Sequence, residues 1–343
     1  MSGKFRHLLA VMLTSLSLPL TAHAVDPAKP LTKVKVCVFD PAGQQGPGFS
    51  MARDQTLEAR KWGMDMQLQV FTDERIAAET FKVGQCDAVN LSSLRARQFV
   101  KFAGSIDAIG GLMTYQQVND LIQLLSSDKI GTLMIEGDYE VAGVIPLGAA
   151  YVMVNDRAIN SVEKAAGKKV AVLDWDKSQA KLVQQMGAQP VASDISNFFG
   201  KFNNGQVDII AAPAIAYKPL ELYKGIGTKG AVYRFPVVNV TGSFLIRRSK
   251  MPKDVDVGKV ARQYIASKIE MAFDAIKVAE KDIPANQWMD LSPSDKDRYT
   301  KMMREARLML TADGTYDPRM MKILKRIRCT RDPSNYECAL KDE

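Results

Sequence analysis

Two stretches constrain this chain more than any other: FKVGQCDAV, starting at Phe81, and FNNGQVDII, starting at Phe202. Both read Phe-x-x-Gly-Gln-x-Asp and run on into apolar residues. Their preludes are doubled too, KVCVFD from Lys35 to Asp40 and KVAVLD from Lys169 to Asp174. A short β-branched run ending in an acid reads as a buried strand entering a loop. After each comes a polar loop and a helix-like segment. In the first half this is MARDQTLEARKWG, with Leu57 and Trp62 on the expected inner face; in the second it is KSQAKLVQQMG. Second strands follow, MQLQVF and the shorter QPVA, then another helix and the shared turn. There Gly84 and Gly205 would end a helix where left-handed backbone is easiest, and Asp87 and Asp208 would start a third strand. Strand, helix, strand, helix, strand, written twice, predicts two α/β lobes with parallel-core sheets covered on both faces.

A chain of 343 residues is long enough for two such lobes. GVIPLGAAYVMVNDRAI, between the halves, and PVVNVTGSFLIRRSKM, after the second, read as strands crossing from one lobe to the other and back. From about Asp254 the pattern is helical: Val257, Val260, Ala261, Tyr264, Phe273 and Ile276 fall at helical spacing. Further helices are predicted over roughly Ser294 to Leu310 and Pro318 to Arg328. The expected organisation is a signal peptide (1–24), the first part of lobe one (25–147), lobe two with its crossing strand (148–238), and the return strand with C-terminal helices packing on lobe one (239–343).

The start of the chain reads as an export signal. Lys4 and Arg6 precede the apolar run Leu8 to Leu20, and Ala22-His23-Ala24 fits a small-residue cleavage site. That run is short of the ~20 residues a spanning helix needs. No cysteine follows the expected cut after Ala24 to carry a lipid anchor. A periplasmic protein, acting as a monomer, is expected. Removing Lys4 and Arg6 without any acid lowers the net charge of +8 by two. The remaining excess suits an anionic ligand or surface. The five basic residues of MKILKRIRCTRD read as a solvated helix face, and nucleic-acid binding fits an exported chain poorly.

Four cysteines in an exported chain predict two disulfides. Cys329 and Cys338 are close in sequence and would staple the tail, leaving Cys37 with Cys86 on neighbouring strands. The chain's two histidines, His7 and His23, both lie in the segment expected to be removed. The mature chain would therefore have no Ser-His-Asp or Cys-His site and no histidine metal site. No phosphate-binding Gly-x-x-x-x-Gly-Lys occurs. No cofactor or metal is expected.

An exported, two-lobed α/β chain with two crossing strands resembles the periplasmic solute-binding proteins, and more closely the substrate-binding subunits of TRAP-type transporters. Gly84-Gln85-Cys86-Asp87 matches that family's Gly-x-x-Asp turn. GGLMTYQQVNDLI, ending at Ile122, stands where the family has a Pro-Phe-Leu-Phe segment and its following helix. VEKAAGKKVAV resembles the opening of the second lobe, and MGAQPVASDISNFFGKFNNGQVD resembles a Gly-Ala-x-Pro stretch running into a second Gly-x-x-Asp. The likeness spans about Lys33 to Arg328. It implies a type II-like periplasmic-binding fold, capture of a small solute between the lobes, and delivery to membrane transporter subunits. One departure stands out. The family's Gly-x-Lys-Ile-Arg-Val carries an arginine that clamps a substrate carboxylate; the same register here, Gly167 to Val172, places Ala171 at that position.

In open α/β sheets, ligands bind beyond the carboxyl ends of the strands. The first strand would present Asp40, Gln44 and Gln45, in a glycine-rich loop whose free N–H groups favour an anion. Asn90, Ser92 and Ser93 follow the third strand, then Arg95, the best candidate to replace the missing arginine, and Arg97. Lobe two would offer Asp174, Trp175, Pro213 and Tyr217, and the crossing strands Tyr151, Asn239 and Thr241. Capture without chemistry, by hinged closure of the lobes, is the leading reading. A periplasmic accessory or sensor protein with a degenerate cleft is the alternative, and an exported enzyme is the weakest reading, for want of a catalytic motif.

Overall fold

Alternation along the first strand shows how the sheet is buried. Val34, Val36 and Val38 enter a core on one face, and Cys37 enters another on the opposite face. The computed structural model describes residues 30–343, so the expected signal peptide lies outside the described residues. Its strands are β1 (Thr32–Phe39), β2 (Met64–Phe71), β3 (Ala88–Ser92), β4 (Ile135–Glu136), β5 (Tyr139–Val154), β6 (Lys169–Leu173), β7 (Gln189–Ser193), β8 (Ile209–Pro213), β9 (Ala231–Arg247) and β10 (Trp288–Met289). They form one ten-stranded sheet in the order β2-β1-β3-β9-β5-β8-β6-β7, with β10 on β9 and β4 on β5.

The repeat is structural. β1 lies between β2 and β3, and β6 between β7 and β8, all four pairings parallel. The shared turn does the same work in both halves. Gly84 and Gly205 have φ of +79° and +68°, and the Phe81 and Phe202 side chains are fully buried. Lys35 donates its N–H to Asp87 Oδ2 at 2.9 Å, and Lys169 donates its own to Asp208 Oδ2 at 2.9 Å. In return the Asp87 and Asp208 N–H groups reach the Lys35 and Lys169 carbonyls at 2.8 Å. Each aspartate thus ties the start of its third strand to the backbone of the central one, which is why the motif recurs.

β5 and β9 are the crossing strands, antiparallel to each other and to the half-sheets they join. Their ladder shifts register four times, between Val141 and Gly143, Pro146 and Gly148, Ala150 and Tyr151, and Tyr151 and Met153. Such bulges bend a strand and interrupt its ladder. At Gly148, φ is +108°, and a Cβ would press on Ile276 Cγ2 at 3.2 Å.

Helices cover both faces. Pro47–Lys61 follows β1, and Trp62 at its end is buried as expected, but Leu57 is 73% exposed. The inner face is carried instead by Ala52 and Ala59, small enough to let the helix lie close to the sheet. The apolar pattern after Asp254 is two helices, Val257–Ser267 and Ile269–Lys281, broken at Lys268. Pro293–Ala312 and Pro318–Arg331 follow. Both expected disulfides are present, Cys37–Cys86 with Cα atoms 5.9 Å apart and Cys329–Cys338 at 5.6 Å. The basic run near the second of these is not wholly a solvated face. Arg328 is buried beside Arg307, and both pair with Glu337 and Glu343, the Glu337 bonds at 2.7 Å and 2.8 Å. Among the described residues no helix is long and apolar enough to cross a membrane.

Candidate ligand-binding site

The carboxyl ends of β1, β3, β6 and β8 open onto a connected space of about 480 Å³ that also reaches Val172, Val183 and Met186. This size falls in the range of small-molecule sites. Phe39, Asn90 and Ser92 line it from the first half-sheet, Leu173 and Pro213 from the second, and Leu147, Val238 and Val240 from the crossing strands. Phe198, Phe199 and Ile215 extend an apolar wall on the second side. No described lysine or arginine side chain is among the lining residues, and Ala171 is one of them.

The polar groups at the strand ends are largely committed within the protein. Asp40 is buried and accepts N–H bonds from Ala42 at 2.9 Å, Gly48 at 2.8 Å and Phe49 at 3.1 Å. It therefore caps the helix Pro47–Lys61, and the loop expected to cradle a foreign anion is filled by the chain's own carboxylate. Gly46 has to be glycine, because a Cβ there would sit 1.8 Å from Asp40 Oδ1. Glu74 does the same after β3: it accepts the Ser92 N–H at 2.7 Å and lies 3.5 Å from Arg95 Nε. Burial pushes the Glu74 carboxyl above the usual range, against the pull of Ser92 and Arg95.

Arg95 is buried and is not among the residues lining the cavity. Its guanidinium carbon stands 4.1 Å over the Trp175 ring. Since Arg95 follows β3 and Trp175 follows β6, this stack joins the two halves. Arg97 is likewise outside the lining, donating to the Gly104 carbonyl at 3.1 Å and lying over Tyr316.

A third carboxylate lies at the floor. Asp107 Oδ2 accepts the Thr241 N–H at 2.9 Å and Oδ1 accepts its hydroxyl at 2.7 Å. Thr241 Oγ1 is also 2.7 Å from Ser93 Oγ, which is 2.7 Å from Ser243 Oγ. Burial pushes Asp107 up to about 7, only partly countered by Thr241 and by the more distant charge of Arg97.

Of the residues singled out from sequence, Asp40, Asn90, Ser92 and Pro213 line the cavity. Ser93 and Thr241 stand just behind it in the hydroxyl chain. Gln44, Gln45 and Asp174 are exposed and outside its lining. Tyr217 donates to Gln287 at 2.7 Å, and Asn239 to the Leu112 carbonyl at 2.9 Å. Tyr151 turns to the helix Ile269–Lys281, donating to Glu280 at 2.6 Å, where Tyr115 also donates. Burial first, then Glu280, raises the Tyr151 hydroxyl well above the normal tyrosine range. Sequence reasoning passed over Glu74 and Asp107, for neither sits in a motif. The only signal was position: Glu74 opens a helix after β2, and Asp107 lies in an otherwise apolar stretch.

A sheet that runs 2-1-3 twice, two strands crossing between the halves, and a cavity at the facing strand ends define the architecture of a two-lobed solute-binding protein. The comparisons agree. The chain belongs to the family described as solute-binding protein AdeT 1/2, whose model matches residues 55–343. It is 47% identical over 306 residues to "Probable solute-binding protein AdeT1" of Acinetobacter baumannii, covering 89% of this chain and 100% of that one. To AdeT2 of the same organism it is 30% identical over 237 residues, 69% of this chain and 99% of that one. Among solved structures, a TRAP periplasmic solute-binding protein from a Sulfitobacter species, with bound β-D-galacturonate, matches with a TM-score of 0.70 at 14% identity, covering 86% of this chain and 99% of that one. Another from Desulfovibrio salexigens, with bound orotic acid, gives 0.67 at 14% identity, covering 87% and 99%.

Proposed function

We propose that this solute-binding protein captures a free small molecule in the cavity between its half-sheets and delivers it to a membrane transporter. The observation that carries the reading is the cavity's walls, which come from both half-sheets and both crossing strands. A solute there touches every part that would move on closure. The four register shifts in the β5–β9 ladder supply a place to flex, and the Arg95–Trp175 stack is a contact that forms when the halves meet. The sequence of residues 1–24 supports export to the periplasm, and the relatives with bound galacturonate and orotic acid support capture of a free solute. An accessory protein with a degenerate cleft would fill this space with side chains; a cavity of about 480 Å³ favours capture.

The test is native mass spectrometry of the protein taken from the periplasm without refolding, paired with small-angle scattering before and after the bound species is dialysed away. Capture predicts an added small-molecule mass and a larger radius of gyration once it is lost. A clean protein mass, with scattering indifferent to any added solute, would refute it.

A further inference from the structure

The charge of the solute can be read from the way the strand ends are used, given that the cavity is the capture site. The two places where this fold could greet an anion, the loop after β1 and the turn after β3, each already hold a carboxylate. Asp40 takes three backbone N–H groups and Glu74 takes the Ser92 N–H. Arg95, the nearest strand-end cation, is paired with Glu74 and stacked on Trp175. Asp107 and Asp176 add two further lining carboxylates, and Ala171 brings no charge to the wall. The rest of the wall, typified by Leu147, Val240 and Ile215, offers hydrocarbon.

We infer that the cavity takes a mostly apolar solute that is uncharged or carries one positive charge, and that it rejects carboxylates. An isolated carboxylate entering this space would lose its water, find no described cationic side chain, and face the lining carboxylates Asp40, Glu74, Asp107 and Asp176. An alcohol loses far less, and an ammonium group is met by a surface of the opposite sign. Asp107, with its carboxyl raised to about 7 by burial, is a group for which a neighbouring cation would be an improvement.

A matched probe set tests this: 2-naphthalenemethanol, 2-naphthylmethylamine and 2-naphthoate, which share one apolar body, together with galacturonate. Calorimetric titration of the unrefolded protein at pH 8 should show the alcohol and the amine binding, the naphthoate at least tenfold weaker, and no heat from galacturonate. Naphthoate binding as tightly as the alcohol, or galacturonate binding at all, overturns the charge assignment while leaving capture intact. If none of the four binds, the inference of a mostly apolar solute falls, while capture itself is decided separately by the native mass and scattering test. Val240→Arg, which places a guanidinium on a half-buried position of the wall, should bring naphthoate to within threefold of the alcohol or better. An unchanged tenfold gap in that folded variant would show that the wall's charge does not set the preference.

Discussion

Replacing Asp107 by asparagine should stabilise the protein increasingly as the pH rises above about 4, and fully from about pH 7 upward. Asp107 is 2% exposed, and its carboxyl titrates at about 7 instead of the ordinary 3.8. The folded state therefore holds a proton that the unfolded state has released between these values. Between about pH 4 and pH 7 the unfolded chain binds fewer protons, so native stability falls as pH rises. Three pH units at about 1.36 kcal/mol each give a penalty on the order of 4 kcal/mol, fully expressed above pH 7 and absent below pH 4. Asparagine carries no charge to desolvate, and it can keep the local bonds. Its carbonyl would accept the Thr241 N–H and its amide would donate to Thr241 Oγ1, freeing that hydroxyl to donate to Ser93. Asp107→Asn and the parent should be equally stable at pH 4. The variant should then gain about 1.4 kcal/mol per unit up to pH 7 and stay level beyond. Urea unfolding followed by the fluorescence of Trp62, Trp175 and Trp288 at pH 4, 5.5, 7 and 8.5 measures this directly. A difference that does not change with pH would mean that the carboxylate is hydrated through the cavity and titrates normally. A variant less stable than the parent at pH 8.5 would mean that its hydrogen bonds outweigh burial, and either result refutes the reasoning.

Asp87→Ala and Asp208→Ala should each cost about 0.5–1.5 kcal/mol by losing the bond to an exposed strand N–H, with the second costing more because Asp208 also accepts from Asn155 at 3.1 Å; chemical denaturation compares them. Trp175→Ala should leave Arg95 without its cover and loosen the join between the halves, seen as a larger radius of gyration in scattering at equal secondary-structure content. Glu337→Gln should cost about 3–5 kcal/mol, because Arg307 and Arg328 would keep only Glu343 to balance two buried charges; a loss below 1 kcal/mol would show that Glu343 alone suffices.

The elements were legible because their signals are local. β-branched runs, glycine at left-handed helix ends and acids at strand starts depend on backbone sterics and nearest neighbours, and so they survive in any context. The repeat made even the topology readable, since one half validates the other. The inner face of a helix is different. Leu57 reads as inward by spacing, yet the helix Pro47–Lys61 meets the sheet through Ala52 and Ala59. Close approach favours small residues, and no periodicity in one chain says which stripe is the close one. Arg328 shows the same limit for charge. A basic helix run reads as solvated, and only the disulfide-held tail, folding Glu337 back onto it, makes burial affordable.

For the site, locus and chemistry part company. Strand order alone places the cleft, and Asn90, Ser92 and Pro213 follow from that order. Which groups remain available to a solute depends on pairings that are remote in sequence: Glu74 with Ser92 and Arg95, Asp107 with Thr241, Arg95 with Trp175. The expectation of an anion came from counting donors, glycine-loop N–H groups and strand-end arginines, without knowing that the chain supplies its own acceptors. Ala171 was the one visible warning. An arginine can be lost from a cleft and replaced from a neighbouring element, or its loss can accompany a change in what the cleft holds. The filled loop, the paired Arg95 and the buried Asp107 all bear on that choice, and they favour the second. Four lining carboxylates, Asp40, Glu74, Asp107 and Asp176, are the ground on which the proposed preference for an uncharged or cationic solute rests.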